Sequence, residues 1–118
     1  MLNQVTLMGR LTADPEMRKT QGGIPVSSFS LAVDRNQKTD AKTDFINVVC
    51  YRQTAEFAVK YLSKGRMVVC EGSLRVNEYT DKDGKKRKAY NVLADQFYFA
   101  DSKKGEFKPY QEEGDLPF

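Results

Sequence analysis

Residues 44–51, Asp44-Phe45-Ile46-Asn47-Val48-Val49-Cys50-Tyr51, read as a β-strand: β-branched and aromatic residues dominate, and neither Gly nor Pro interrupts them. Side chains alternate across a strand. Ile46, Val48 and Cys50 therefore form an apolar face suited to a core, and Phe45, Asn47, Val49 and Tyr51 form the opposite face. Six steps of about 3.3 Å place the two aromatics about 20 Å apart, and Arg52 follows at once. Aromatics spread along a sheet face beside cations make a platform on which bases stack while phosphates are neutralised. The same residues also suit packing against a second sheet or a partner subunit, so the strand alone leaves its use open.

Working outward, Gln4–Leu11 alternates with Val5, Leu7 and Leu11 on one face and Thr6, Met8 and Arg10 on the other, and Gly9 inside it signals a bulge or a close backbone approach. Residues 12–23 are polar and turn-rich. Pro25–Val33 reads as strand two, with Phe29, Leu31 and Val33 toward the core and Ser28, Ser30 and Ala32 as a smooth opposite face. Residues 34–43 form a charged loop. After the central strand the period changes: Ala55, Ala58, Val59 and Leu62 predict a helix over 54–64, stopped by Gly65. Met67–Tyr79 is a long strand four containing Gly72, Asp83-Gly84 is a hairpin turn, and Arg87–Phe99 is strand five. Five strands with one short helix between the third and fourth is the order of the OB-fold, a five-stranded Greek-key barrel, all-β apart from that helix.

The 118 residues make one domain with a single core, expected over 1–103, and 104–118 is expected to be a short disordered acidic tail. Residues 1–105 hold 18 Lys and Arg against 12 Asp and Glu, whereas 106–118 hold one Lys against four acids. A basic body suits an anionic ligand, and an acidic tail suits a separate task. No His is present, which removes His-based acid–base and nucleophile systems and most zinc sites. No phosphate-cradling glycine loop occurs, and Asp81 and Asp83 read as turn chemistry beside Asp83-Gly84. No cofactor or metal is expected, and the chain reads as a binding protein, not an enzyme. Cys50 and Cys70 lie in apolar strand runs and read as core residues of a reducing compartment. With no signal-peptide pattern and no apolar run long enough to span a membrane, the expected location is cytoplasmic and nucleoid-associated.

Strand four repeats the central pattern: Arg75, Asn77 and Tyr79 share one face, and Leu74 and Val76 the other. Next to this second triad, Lys85, Lys86, Arg87 and Lys88 crowd the hairpin tip and suit phosphate contacts. At the other end of the chain, Glu112, Glu113 and Asp115 lead to Leu116-Pro117-Phe118, an acidic run closing on an apolar terminus that suits a partner pocket with a basic rim.

Taken together, the segments Met1–Leu11, Asp14-Pro15-Glu16, Phe29–Val33, Asp44–Val49, Ala55-Glu56, Tyr61–Gly65, Glu71–Arg75, Tyr79-Thr80-Asp81 and Asp115–Phe118 are similar to those of bacterial-type single-stranded DNA-binding proteins over nearly the whole length. The resemblance implies an OB-fold, a homotetramer, and binding of single-stranded DNA with little sequence preference during replication, recombination and repair. It places base stacking on Phe45, Tyr51 and Tyr79, basic contacts on Arg10, Arg18, Arg52, Lys64 and Arg75, and recruitment of replication and repair proteins on residues 112–118. The chain departs from the family in having no Trp and no aromatic in 34–43, which suggests weaker binding or a shorter site, and in having almost no linker before its tip, which suits a short paralogue or a mobile-element version. Other readings of the residues alone are an RNA-binding OB protein and a protein-interaction adaptor.

Overall fold

Burial alternates residue by residue along three stretches, and each is a strand of the computed structural model, which describes residues 1–35 and 42–101. These are β1 (Val5–Leu11), β3 (Pro25–Asp34) and β4 (Thr43–Tyr51). The other elements are β2 (Glu16–Lys19), α1 (Arg52–Tyr61), β5 (Met67–Thr80) and β6 (Lys86–Phe99). The strands run in the order β1-β5-β6-β4-β3-β2, and β1 also meets β3 at Arg10/Ala32 and Leu11/Leu31. That extra pairing closes β1, β5, β6, β4 and β3 into a ring, with β4 and β6 parallel and the other pairs antiparallel. This is the OB-fold expected from the order of elements.

The strand β2 was not expected: residues 12–23 read as turns alone. It lies outside the ring and, among the described residues, pairs only with β3, through Glu16/Ser28 to Lys19/Pro25. All four of its residues are exposed, so it carries no apolar alternation to signal it, and main-chain pairing defines it.

The helix starts two residues earlier and ends three residues earlier than the sequence pattern predicts. Ala55, Ala58 and Leu62 are buried and close one end of the ring, while Val59, expected beside them, is exposed and Phe57 packs on the core instead. Arg52 turns the strand into the helix with a left-handed φ of 58°, the one such non-glycine residue among those described. Gly65, with φ of 87°, does not stop the helix; it forms the turn after it. Its N–H donates to the Leu11 carbonyl at 2.8 Å and the Leu11 N–H donates to the Arg66 carbonyl at 3.1 Å, seating the turn on β1.

Two glycines permit the ring to close. A Cβ on Gly9 would lie 2.5 Å from the Ala32 carbonyl oxygen, so the close approach, and not a bulge, explains this glycine. At Gly72 the register of β5 against β6 does shift, and a Cβ would lie 1.9 Å from the Leu93 carbonyl oxygen. The core gathers Leu31, Val48, Cys50, Val68, Cys70, Val92 and Phe97 inside the ring. Burial pushes the Cys50 thiol up to about 12 and the Cys70 thiol up to about 11, so both stay protonated and inert. No helix among the described residues is long and apolar enough to cross a membrane.

Beyond Ser73 and Val92 the hairpin of β5 and β6 leaves the barrel as an arm, and residues 74–80 are all exposed. Leu74 and Val76, on the face away from Arg75, thus remain outside the core. Asn3 fixes the arm's root: its side-chain amide donates to the Leu74 carbonyl and accepts from the Leu74 N–H, both at 2.9 Å, as a strand neighbour would.

Candidate nucleic-acid interface

Cross-strand partners share a face of a sheet, so the register determines which candidates meet. Tyr51, Val49, Asn47 and Phe45 lie opposite Val26, Ser28, Ser30 and Ala32 of β3. Val49 lies beside Leu93 of β6, and Leu93 lies opposite Ser73 of β5. Alternation then carries the same face outward through Arg75 opposite Asn91, Asn77 opposite Ala89 and Tyr79 opposite Arg87. The two triads found separately in the sequence therefore form one outer surface running from β3 to the arm.

The aromatic side chains on it are solvent-facing: Phe45 is 68% exposed, Tyr51 43% and Tyr79 50%. Large apolar rings held this open on rigid strands are available to stack against flat ligands. Tyr51 stands between two grooves. One, of about 530 Å³, has Arg18, Ser28, Ser30 and Asn47 in its walls; the other, of about 230 Å³, has Arg75, Asn77 and Leu93. Asn91 and Val49 line both grooves. Asn91 escaped the sequence reading because the faces of strand five were not separated; alternation from Arg87 through Ala89 and Asn91 to Leu93 carries that signal. Ser28 and Ser30 keep the floor of the larger groove low, with no bulky side chain between Arg18 and Asn47.

The cations fall into three situations. Arg18 reaches over the larger groove, its Nη2 3.2 Å from the Ser28 hydroxyl, and Arg52 is exposed next to Tyr51. Arg10 lies on the same face, opposite Ala32, but its Nη1 donates to the Gly65 carbonyl at 2.9 Å, beside the exposed Lys64. The tip cluster divides between the two faces of the arm. Lys86 and Lys88 lie opposite Thr80 and Glu78 on the reverse face, whereas Arg87 shares the face of Tyr79. Arg87 is also engaged: its Nε donates to Asp81 Oδ2 at 2.6 Å, while the Asp83 and Lys85 N–H groups donate to Asp81 Oδ1, each at 2.9 Å. The Arg87 guanidinium and then the Lys85 N–H hold the Asp81 carboxyl below its usual range. The four consecutive cations thus do not share one face of the arm, and Lys85 and Arg87 belong to a tip organised by Asp81. This is also the turn chemistry expected for Asp81 and Asp83.

Phe45 has a second border. With Val5, Leu7, Ile46, Leu74 and Tyr90 it rims a depression of about 360 Å³ at the margin of the core, where the core's apolar face runs out onto the arm. Residues 36–41 of the charged loop, and Glu112, Glu113, Asp115, Leu116, Pro117 and Phe118, for which partner contacts are expected, lie outside the described residues.

Among curated proteins, the chain is 42% identical over 106 residues to a Staphylococcus aureus protein named Single-stranded DNA-binding protein 1, covering 87% of this chain and 68% of that one. It is 43% identical over 108 residues to a Single-stranded DNA-binding protein of Caldanaerobacter subterraneus, covering 89% and 72%. A protein of that name from Bacillus cereus is 41% identical over 108 residues, covering 89% and 64%. A sequence profile of the single-strand binding protein family matches residues 2–100, and the chain belongs to that family.

Proposed function

We propose that this chain is a non-catalytic protein that binds and protects single-stranded DNA with little sequence preference, in replication, recombination and repair. The observation that carries this reading is the single exposed face on which Phe45, Tyr51 and Tyr79 stand with Arg18, Arg52 and Arg75 between and beside them. Every base offers a π-face to an aromatic ring, so stacking on such a platform is tolerant of sequence. Asn47, Asn77 and Asn91 add neutral donors and acceptors for sugar and base edges. Titration with oligo-dT, following intrinsic tyrosine emission, tests the reading. Quenching is expected, with no Trp to mask it, and affinity should fall steeply as salt rises through counterion release. A flat salt response, or equal preference for duplex DNA or an RNA of matching sequence, contradicts it.

The assembly we infer is a homotetramer. On the β3 side, β1 is paired only at Arg10 and Leu11, which leaves its edge from Val5 to Gly9 without a strand partner among the described residues. That edge adjoins the apolar rim of Val5, Leu7, Ile46 and Leu74, and a second copy would cover both. Light scattering should give four copies at micromolar concentration, and a monomer contradicts this. For the terminus, residues 112–118 are proposed to recruit replication and repair proteins, on the strength of their acidic-then-apolar sequence. Deleting Phe118 should abolish partner capture while leaving DNA affinity unchanged; a large loss of DNA affinity would place the tail in the DNA site. The location that follows is the cytoplasm, at the nucleoid.

A further inference from the structure

Exposed rings and cations also meet away from the platform, on the flank where α1 packs against the end of β6. Phe57 and Tyr61 are four residues apart, so they share a helix face, which lies beside that of Ala58 at the margin of the core. Phe57 is the hub: its ring centroid lies 4.9 Å from Tyr61, 6.1 Å from Phe99 and 6.4 Å from the buried Phe97. Tyr61 and Phe99 remain 49% and 46% exposed. Both rings are held in place. The Arg66 guanidinium sits 4.5 Å over the Phe99 ring and is itself fixed by Asp101, whose Oδ1 accepts from Arg66 Nε at 3.1 Å and whose Oδ2 accepts from the Met67 N–H at 3.0 Å. Lys60 Nζ lies 5.3 Å from the Tyr61 centroid. Core packing calls for burial of these rings, and a mobile surface would not clamp them; half-exposed rings held rigid are pre-organised for a flat ligand.

The cluster is linked to the platform. Arg10 stands on the platform face opposite Ala32, which lies opposite Phe45. Its guanidinium reaches the Gly65 carbonyl, between Lys64 and Arg66. Arg10, Lys64 and Lys60 thus mark a basic ridge from the Phe45 end of the platform to Tyr61. Asp14, whose carboxylate accepts the Lys64 N–H at 2.7 Å, and Glu56 temper this ridge without reversing its sign. Among the described residues neither Lys60 nor Lys64 is in an ion pair.

We propose that Tyr61 and Phe99 form a second stacking site for the same single-stranded DNA, taking the nucleotides that run off the platform past Phe45 and along the Arg10–Lys64 ridge, with Lys60 at a phosphate. This rests on the platform reading and extends it. One OB-fold occupies about 4–16 nucleotides, so oligo-dT of roughly 6 and roughly 20 nucleotides separates the two sites. Tyr61→Leu and Phe99→Leu keep apolar bulk against Phe57 while removing the stacking ring. Each should weaken the long oligomer roughly 5- to 160-fold, the equivalent of one lost stacked base, and leave the short oligomer unchanged. Lys60→Ala needs no repacking and should lower the salt slope by about 0.7 for the long oligomer alone. Unchanged binding of both lengths, an equal loss on both, or a changed assembly state of Tyr61→Leu in light scattering overturns the second site, the last by making it a subunit contact. Wild-type protein binding neither length overturns the platform reading as well.

Discussion

The barrel and the arm are built from the same two strands, β5 and β6, yet alternation does different work in each. Inside the ring, residues such as Val68, Cys70, Val92 and Ala94 point into a filled core and their neighbours point to solvent. Past Leu74 the ring no longer covers the inner face. Alternation there separates two wet surfaces of unlike chemistry: Arg75, Asn77 and Tyr79 on one, Val76, Tyr90 and Lys88 on the other. The period of a strand shows which residues share a face. Whether that face is buried depends on what lies across from it, and that is settled by topology.

The contrast is sharpest on either side of the boundary. Gly72→Val places carbon where the Leu93 carbonyl already is, at 1.9 Å for the Cβ alone, and backbone cannot step aside as a side chain can. It should cost more than about 3 kcal/mol or prevent folding, read by denaturant unfolding. Val76→Ala, four residues along the same strand and half exposed, should cost less than about 0.5 kcal/mol. Equal effects of the two would erase the distinction between barrel and arm. A smaller effect is expected at the arm's tip. Asp81→Asn should leave global stability nearly unchanged, speed amide exchange at Asp83 and Lys85, and release Arg87 to a phosphate, steepening the salt slope by up to about 0.7. A shallower slope would mean that Asp81 holds Arg87 in the orientation DNA uses. The smallest effect is that of pH. The Asp81 carboxyl is lowered in the folded protein, so its stabilisation is present above the ordinary carboxylate value of about 3.9 and is lost only as pH falls through the lowered one. Exchange at the tip should therefore be unaltered by carboxylate titration at pH 5 and accelerate only in stronger acid.

Much of this was legible in the sequence because alternation and helical period report directly on burial. The core faces of β1, β3 and β4 and the outward placement of Phe45, Tyr51 and Tyr79 follow from it. Four features do not. The strand β2 exists through main-chain pairing and has no buried side chain to announce it. The helix starts at Arg52 because a left-handed residue turns the chain there, a conformation that an arginine does not advertise. The cations of 85–88 look alike in sequence and are sorted only by which strand partner each faces. The Phe57–Tyr61–Phe99 cluster joins a helix flank to a strand end 38 residues later, a contact that local periodicity does not encode.

The central claim is that β4 and the arm present one stacking surface, with residues that serve binding and not the fold. The most direct measurement is the affinity of Phe45→Ala and Tyr79→Ala for oligo-dT, taken with circular dichroism on the same samples. Each should lose about 1–3 kcal/mol of binding, the worth of one stacked base, with a native spectrum. Wild-type affinity in both variants, or an unfolded spectrum in either, would contradict it.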